Sequence, residues 1–178
     1  MFALTLLLFI PWMDDKEIVA GPELNKPIPS LKTLQIVGDH ADKEIDWKET
    51  AQAKPTLIVF VRTDKWDRPV ARVLKQLDDA LIAVRKDLPD AHVGIVWVSK
   101  DADKAKDYLP KVQQSIKLQA SSWNHFNGEV YDATGWQLSG DGALNIVLVK
   151  DNKAVWGRAF STMQESIVKQ TMAELKGK

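Results

Sequence analysis

The sequence contains no cysteine among its 178 residues. Disulfide exchange and thiol-based peroxide reduction both begin with a thiolate, so this chain cannot perform either reaction by that route. No disulfide can staple the fold, which must therefore be held by packing. With 45% hydrophobic residues, a chain of this length can bury a substantial core, and we expect one globular domain.

The chain also lacks an excess of charge of either sign, because 24 Lys and Arg residues balance 24 Asp and Glu residues. No long-range field draws it to phosphate backbones, and we predict no nucleic-acid partner. The sequence has no glycine-rich phosphate loop, nucleophile elbow or metalloprotease helix. Its three histidines are not spaced as metal ligands. We therefore predict neither a cofactor nor a metal site.

Long hydrophobic runs are missing apart from residues 1–12 (MFALTLLLFIPW). This run has the length of a signal-peptide core and is too short to span a bilayer, so we predict no stable membrane span. We expect residues 1–20 to be a leader that directs export of the chain to the periplasm or another compartment outside the cytoplasm. Residues 21–178 are then the domain. No Lys or Arg precedes the run, so the alternative is a cytoplasmic protein with an apolar arm packed on the domain.

The rest of the chain alternates strand and helix patterns. Continuous apolar runs predict strands covered on both faces, and apolar residues at three- and four-residue spacing predict amphipathic helices. The predicted strands are 31–37, 44–47, 56–61, 92–98, 143–150 and 154–160, and the predicted helices are 70–88, 101–114 and 162–175. The first two strands and the last two are expected to form hairpins, whereas strand–helix–strand order favours a parallel crossover between them. Residues 121–142 are too irregular for either period and are predicted to be a long loop.

Three segments carry a family resemblance: PELNKPIPSLKTLQIVG, IVFVRTDKWDRPVARVLKQL and NIVLVKDNKAVWG. With the order of elements, they resemble the redoxin branch of the thioredoxin-like superfamily, which includes the alkyl hydroperoxide reductase and thiol-specific antioxidant proteins. The resemblance covers residues 21–178. It implies an α/β, thioredoxin-like fold in which helices flank a central mixed β-sheet, with an N-terminal β-hairpin extension.

In that superfamily a Trp precedes a Cys-x-Pro-Cys motif at the start of a helix. The corresponding residues here are Trp66, Asp67, Arg68, Pro69 and Val70. The resemblance thus places Asp67 and Val70 at the two cysteine positions and Pro69 at the proline between them. A carboxylate at a helix start can accept backbone N–H bonds, so we expect Asp67 to be a helix cap and Val70 to be core.

The family also has a cis-proline in the loop that faces the redox motif. This chain has Ala143, Leu144 and Asn145 there, and without proline we expect trans peptide bonds. The motif is therefore degenerate at both of its parts, which argues against a redox enzyme.

In the resembled fold, the helix-start loop and the loop before the late hairpin lie at one end of the sheet. Aromatic side chains and Arg are enriched at binding hot spots. The candidate binding surface comprises Trp66, Arg68, Trp123, His125, Phe126 and Trp136. Alternatively, the loop folds its aromatic side chains inward as a small core.

The leading hypothesis is a binding or interaction module for a protein, a peptide or a small ligand. The alternative is an enzyme in which Asp67, Arg68 and His125 perform acid–base rather than thiol chemistry. A weaker idea is a metal-dependent binder that uses His40, in an acidic turn, or His125.

Overall fold

The computed structural model describes residues 18–52 and 54–177. Residues 1–17 of the predicted leader (residues 1–20) lie outside the described residues. Residues 18–20 belong to the fold, since Ile18–Val19 is a strand and Ala20 is 3% exposed. In chain order the elements are β1 (Ile18–Val19), β2 (Lys32–Val37), β3 (Glu44–Asp46), α1 (Trp47–Thr50), β4 (Thr56–Arg62), α2 (Arg68–Val84), β5 (His92–Ser99), α3 (Ala102–Ile116), β6 (Ser121–Asn127), β7 (Leu144–Lys150), β8 (Lys153–Phe160) and α4 (Glu165–Lys176). No helix in this part of the chain is long and apolar enough to cross a membrane.

The described strands form one mixed sheet in the order β1-β8-β7-β4-β5-β6-β2-β3. Strands β4, β5 and β6 run parallel, and α2 and α3 connect them. The two predicted hairpins are confirmed, since β2 pairs with β3 and β7 with β8 in antiparallel registers. Parallel strands end at the same edge of a sheet, so the carboxyl ends of β4, β5 and β6 lie side by side.

The predicted long loop over residues 121–142 is wrong in its first part, which is strand β6. Its sequence, SSWNHFN, contains too few apolar residues to signal a strand, yet five of the seven are buried. Buried polar side chains need internal partners, and Asn124 Nδ2 donates to the Ile95 carbonyl at 3.3 Å. Helix α3 contains Pro110 and is not broken there, because it continues to Ile116.

Two apolar clusters cover the two faces of the sheet. Helices α2, α3 and α4 pack on one face, where Val70 is 1% exposed, as expected for a core residue. The opposite cluster contains Trp47, Phe60 and Trp136. At Gly94 an added Cβ would lie 1.8 Å from Trp47 Cη2, so only glycine lets that indole lie flat against β5.

A buried carboxylate fixes where β6 begins. Asp78 on α2 is 0% exposed and lies on the apolar stripe of the helix. Its two oxygens accept hydrogen bonds from the backbone N–H groups of Gln119 (2.8 Å) and Ala120 (2.9 Å) and from the Ser121 hydroxyl (2.7 Å). Three donors satisfy the buried charge and tie α2 to the edge of the segment that carries Trp123.

Candidate functional site

The helix-start segment has the geometry of a capped helix. Strand β4 ends at Arg62, a 3₁₀ turn covers Thr63–Lys65, and Asp67 is the N-cap of α2. Asp67 Oδ1 accepts a hydrogen bond from the Val70 N–H at 2.9 Å, and Pro69 falls in the first helical turn. The expected cap is therefore present, and the carboxylate already has a backbone partner.

The start of β7 lies beside the end of β4. Leu144 pairs with Val61, and the Arg62 N–H donates to the Ala143 carbonyl at 3.4 Å. The peptide bonds of the described residues are all trans, including those around Leu144. The Asn145 side chain accepts from the Ser139 N–H at 2.7 Å and donates to the Ser139 carbonyl at 3.2 Å. Asn145 therefore holds the preceding loop rather than facing an open site.

A cleft of about 710 Å³ opens at the carboxyl ends of β4 and β5, beside the helix-start segment. This is the edge at which ligands bind in open α/β sheets. Three segments build its walls: the 3₁₀ turn after β4, the β5–α3 junction and the residues that follow β6. The lining residues are Arg62, Thr63, Asp64, Trp66, Trp97, Val98, Ser99, Lys100, Asp101, Lys104, Ala105, Tyr108, Gly128, Glu129, Val130 and Tyr131.

One wall of the cleft is a fixed aromatic cluster. The half-buried Trp66 donates its indole N–H to the Tyr108 hydroxyl at 2.9 Å. The same ring meets Trp97 and Trp123 edge-on, with centroids 5.3 and 6.1 Å apart. Trp123 is fully buried behind it. Because edge-to-face packing and the hydrogen bond both constrain Trp66, its exposed face is held in place before any ligand arrives.

The rim of the cleft carries three cations and three carboxylates, and the carboxylates all have partners. Arg62 Nη2 lies 2.6 Å from Asp64 Oδ2, and Lys100 Nζ lies 2.6 Å from Glu129 Oε1. The hydrogen bond to Glu129 raises the pKa of the Lys100 ammonium, which keeps the ammonium charged. Asp101 caps α3 by accepting from the Lys104 N–H at 2.9 Å. Exposed pairs like these add little stability, but they leave the rim balanced.

His125 lies buried in β6 rather than in a loop. Its Nε2 is 3.0 Å from the Ser99 hydroxyl and 3.0 Å from the Ser99 carbonyl. A carbonyl can only accept, so Nε2 carries the hydrogen and cannot take a proton from that hydroxyl. Burial lowers the pKa of His125, so the ring is neutral at pH 7. Among the described residues no hydrogen bond joins His125 to Asp67, and the geometry does not assemble the acid–base alternative.

The structure does not bring the six residues of the candidate binding surface to one opening. Trp123 and His125 are 0% and 2% exposed, and Trp136 is fully buried on the opposite face, 5.3 Å from Phe60. Phe126 packs against that same opposite cluster, and Arg68 is exposed at the helix start outside the cleft. Trp66 alone of the six lines the cleft, so the expected surface is corrected to the opening around that residue.

The sequence prediction missed the other walls of the cleft. Trp97 lies in the predicted strand 92–98 and is only 4% exposed, yet it also lines the opening. Tyr108 and Tyr131 carried no signal of their own; the rule that ligands bind at the carboxyl ends of parallel strands would have pointed to the residues after β5. His40 is exposed in its turn, and the described residues contain no group of three or more His, Asp or Glu side chains suited to a metal ion.

Comparisons with known proteins identify the fold but no family. No protein-family model matches the chain, and no curated protein matches it in sequence. Among solved structures, a secreted thiol-disulfide isomerase from Corynebacterium glutamicum is similar with a TM-score of 0.61, 11% identity, and coverage of 98% of this chain and 95% of that one. A DsbF homologue from Corynebacterium diphtheriae has a TM-score of 0.60, 9% identity and coverage of 95% and 96%.

A thioredoxin-like protein from Porphyromonas gingivalis is similar as well, with a TM-score of 0.59, 14% identity and coverage of 84% of this chain and 89% of that one. Identities this low establish the fold and nothing finer. The chain therefore has the thioredoxin-like fold, and it has no cysteine at either position of the redox motif.

Proposed function

We propose that this chain is a redox-inactive binding module on a thioredoxin-like scaffold, and that the cleft beside Trp66 is its binding site. We further propose that it is exported and descends from the redoxin branch. The observation that carries the binding role is the cleft itself, with its fixed and partly exposed Trp66.

The helix start supports a role without redox chemistry. In a thiol enzyme this position presents a nucleophile to substrate, whereas Asp67 uses its carboxylate to accept the Val70 N–H. The second position, Val70, is 1% exposed and packs in the core. A chain with no cysteine cannot complete a thiol–disulfide cycle at this site.

The cleft supports a role in binding. Its volume lies within the range of about 300–1,000 Å³ typical of ligand sites. A rigid aromatic wall beneath a balanced polar rim is the usual composition of a binding hot spot, because a pre-ordered ring loses little entropy on contact. The neighbouring β7 segment offers no comparable opening, since Ala143, Leu144 and Asn145 are all buried.

Export is supported by the apolar run at residues 1–12. The similar structure from Corynebacterium glutamicum is described as secreted, which agrees with an extracytoplasmic scaffold of this kind. N-terminal sequencing of the protein recovered from its native host, with a C-terminal tag, tests this part of the proposal. A mature chain that has lost the apolar run at residues 1–12 supports it, and a chain that retains Met1 in the cytoplasmic fraction contradicts it.

The binding role is tested by capture from the native extracytoplasmic fraction with three baits: wild type, Trp66→Ala and Ile82→Ala. Ile82 is 37% exposed on α2 and does not line the cleft, so it controls for the general loss of surface apolar area. We expect a partner that wild type and Ile82→Ala retain and Trp66→Ala loses. Equal capture by all three baits would contradict binding at the cleft.

A further inference from the structure

We propose that the occupant of the cleft is an uncharged, proline-containing peptide segment in an extended conformation. This inference rests on the proposed binding function and names the class of partner. Three features support it: the balanced charges of the rim, the Tyr108 hydroxyl hydrogen that no described residue of the wall accepts, and the arrangement of the exposed aromatic rings.

The rim is matched to a ligand without net charge. Arg62 holds Asp64 through two hydrogen bonds, from Nε at 3.0 Å and from Nη2 at 2.6 Å, and Lys100 holds Glu129. Beside either pair, a charged ligand would have to break the pair or lie next to a like charge. Lys104, the third cation of the rim, is offset by Asp101, so the lining has no net charge. An uncharged ligand leaves both pairs intact and avoids that desolvation.

The wall offers a hydrogen-bond donor rather than an acceptor. The Tyr108 oxygen accepts the Trp66 indole N–H, so the hydroxyl still has its own hydrogen to donate. No described residue accepts that hydrogen, so the fitting ligand brings an acceptor for it. A ligand without N–H groups also leaves no donor unpartnered beside the apolar wall. Proline residues meet this description, because they present a carbonyl and an apolar ring and have no N–H.

The exposed rings suit an extended chain more than a small molecule. Tyr131 is 73% exposed and Tyr108 is 38% exposed, and they line the cleft from the segment after β6 and from α3. The Tyr131 hydroxyl packs against Gly140, where an added Cβ would lie 1.6 Å from it. This contact positions the exposed ring. Sites for small molecules enclose about 70–90% of the ligand surface. Largely exposed aromatic walls instead match the grooves that recognise polyproline II segments.

The test uses three synthetic octapeptides with capped ends: one of proline and alanine, one with glutamine in place of every proline, and the proline peptide with two aspartates added in place of alanine. Binding is followed by the indole N–H resonances of the protein. We expect the proline peptide to shift Trp66 and leave Trp136, on the opposite face, unchanged. We expect the glutamine peptide to bind at least about tenfold more weakly, and the aspartate peptide to bind more weakly than the proline peptide.

Variants of the protein test which residues contact the proline peptide. Tyr108→Phe keeps the ring but removes the hydroxyl both as a donor to the peptide and as the acceptor of the Trp66 indole N–H, so it should weaken the proline peptide by about two- to tenfold. Trp66→Ala should abolish the shift of the remaining cleft indole, Trp97, and Ile82→Ala should behave as wild type. Equal binding of the proline and glutamine peptides, or no shift with any peptide, would overturn the inference.

A parallel titration with phenol and indole separates this inference from the proposed function. If these compounds shift Trp66 and no peptide does, the cleft binds ligands and the assignment to a proline-containing peptide is wrong. If native capture is independent of Trp66, the proposed binding function fails, whatever the peptides show.

Discussion

The buried carboxylate of Asp78 gives the sharpest test of how the structure positions the cleft. Replacing it with alanine removes the acceptor of the Gln119 and Ala120 N–H groups and of the Ser121 hydroxyl. Gln119 is exposed, so water can accept the hydrogen bond from its N–H, whereas Ala120 and Ser121 are only 8% exposed. Each buried donor left without a partner costs about 1–3 kcal/mol, so Asp78→Ala should lower the free energy of unfolding by about 2–6 kcal/mol.

Urea unfolding followed by tryptophan fluorescence measures the change, with Asp79→Ala as the matched control. Asp79 is the next residue on α2, is exposed, and pairs only with Lys75 on the surface, a contact worth about 0–1 kcal/mol. Asp78→Asn should fall between the two, because an amide keeps one acceptor. Equal losses for Asp78→Ala and Asp79→Ala would refute the claim that this carboxylate anchors β6.

Three further predictions concern the helix start and the sheet. Asp67→Ala should cost about 0.5–2 kcal/mol in urea unfolding while Asp67→Asn or Asp67→Ser costs less; equal losses would argue against capping. Burial lowers the pKa of His92 from 6.5 to about 4, so between those values the unfolded chain binds the additional proton and stability falls as pH falls. This group should make the protein about 2 kcal/mol less stable at pH 5 than at pH 7, and His92→Gln should lose less over that range; parallel pH profiles would contradict this. The double variant Asp67→Cys, Val70→Cys should form a disulfide under mild oxidant, read by mass spectrometry; a folded variant that stays reduced would show that the register with the redox motif is wrong.

The sequence predicted the strands and helices whose signal comes from residues close together in the chain. The continuous apolar runs of β4 and β5 depend only on burial of their own side chains, and both strands were predicted to within about one residue at each end. The helical spacing predicted α2 but not its end, which lies at Val84 rather than at residue 88. Strand β6 was missed because its polar residues are satisfied by distant groups, such as the Ile95 carbonyl and Asp78, which no window of sequence contains. Tertiary hydrogen bonds thus overrode the local signal.

In the candidate site, too, local features were predictable and features that depend on tertiary contacts were not. Asp67 as a cap follows from residue type and position, and the structure contains the expected hydrogen bond. The cleft instead depends on which strand ends become neighbours in the sheet. Trp66, Tyr108 and Tyr131 come from three separate segments, and only the parallel order of β4, β5 and β6 brings them to one opening. Sequence spacing alone could not predict that surface.

The measurement that most directly tests binding at the cleft is the affinity of the captured partner for wild type, Trp66→Ala and Ile82→Ala, combined with the indole spectrum of the bound state. Binding at the cleft predicts that Trp66 and Trp97 shift while Trp136 does not, since Trp136 is buried on the other face of the sheet. It also predicts at least about a tenfold loss of affinity for Trp66→Ala and none for Ile82→Ala. Unchanged affinity of Trp66→Ala, or shifts confined to indoles outside the cleft, would contradict it.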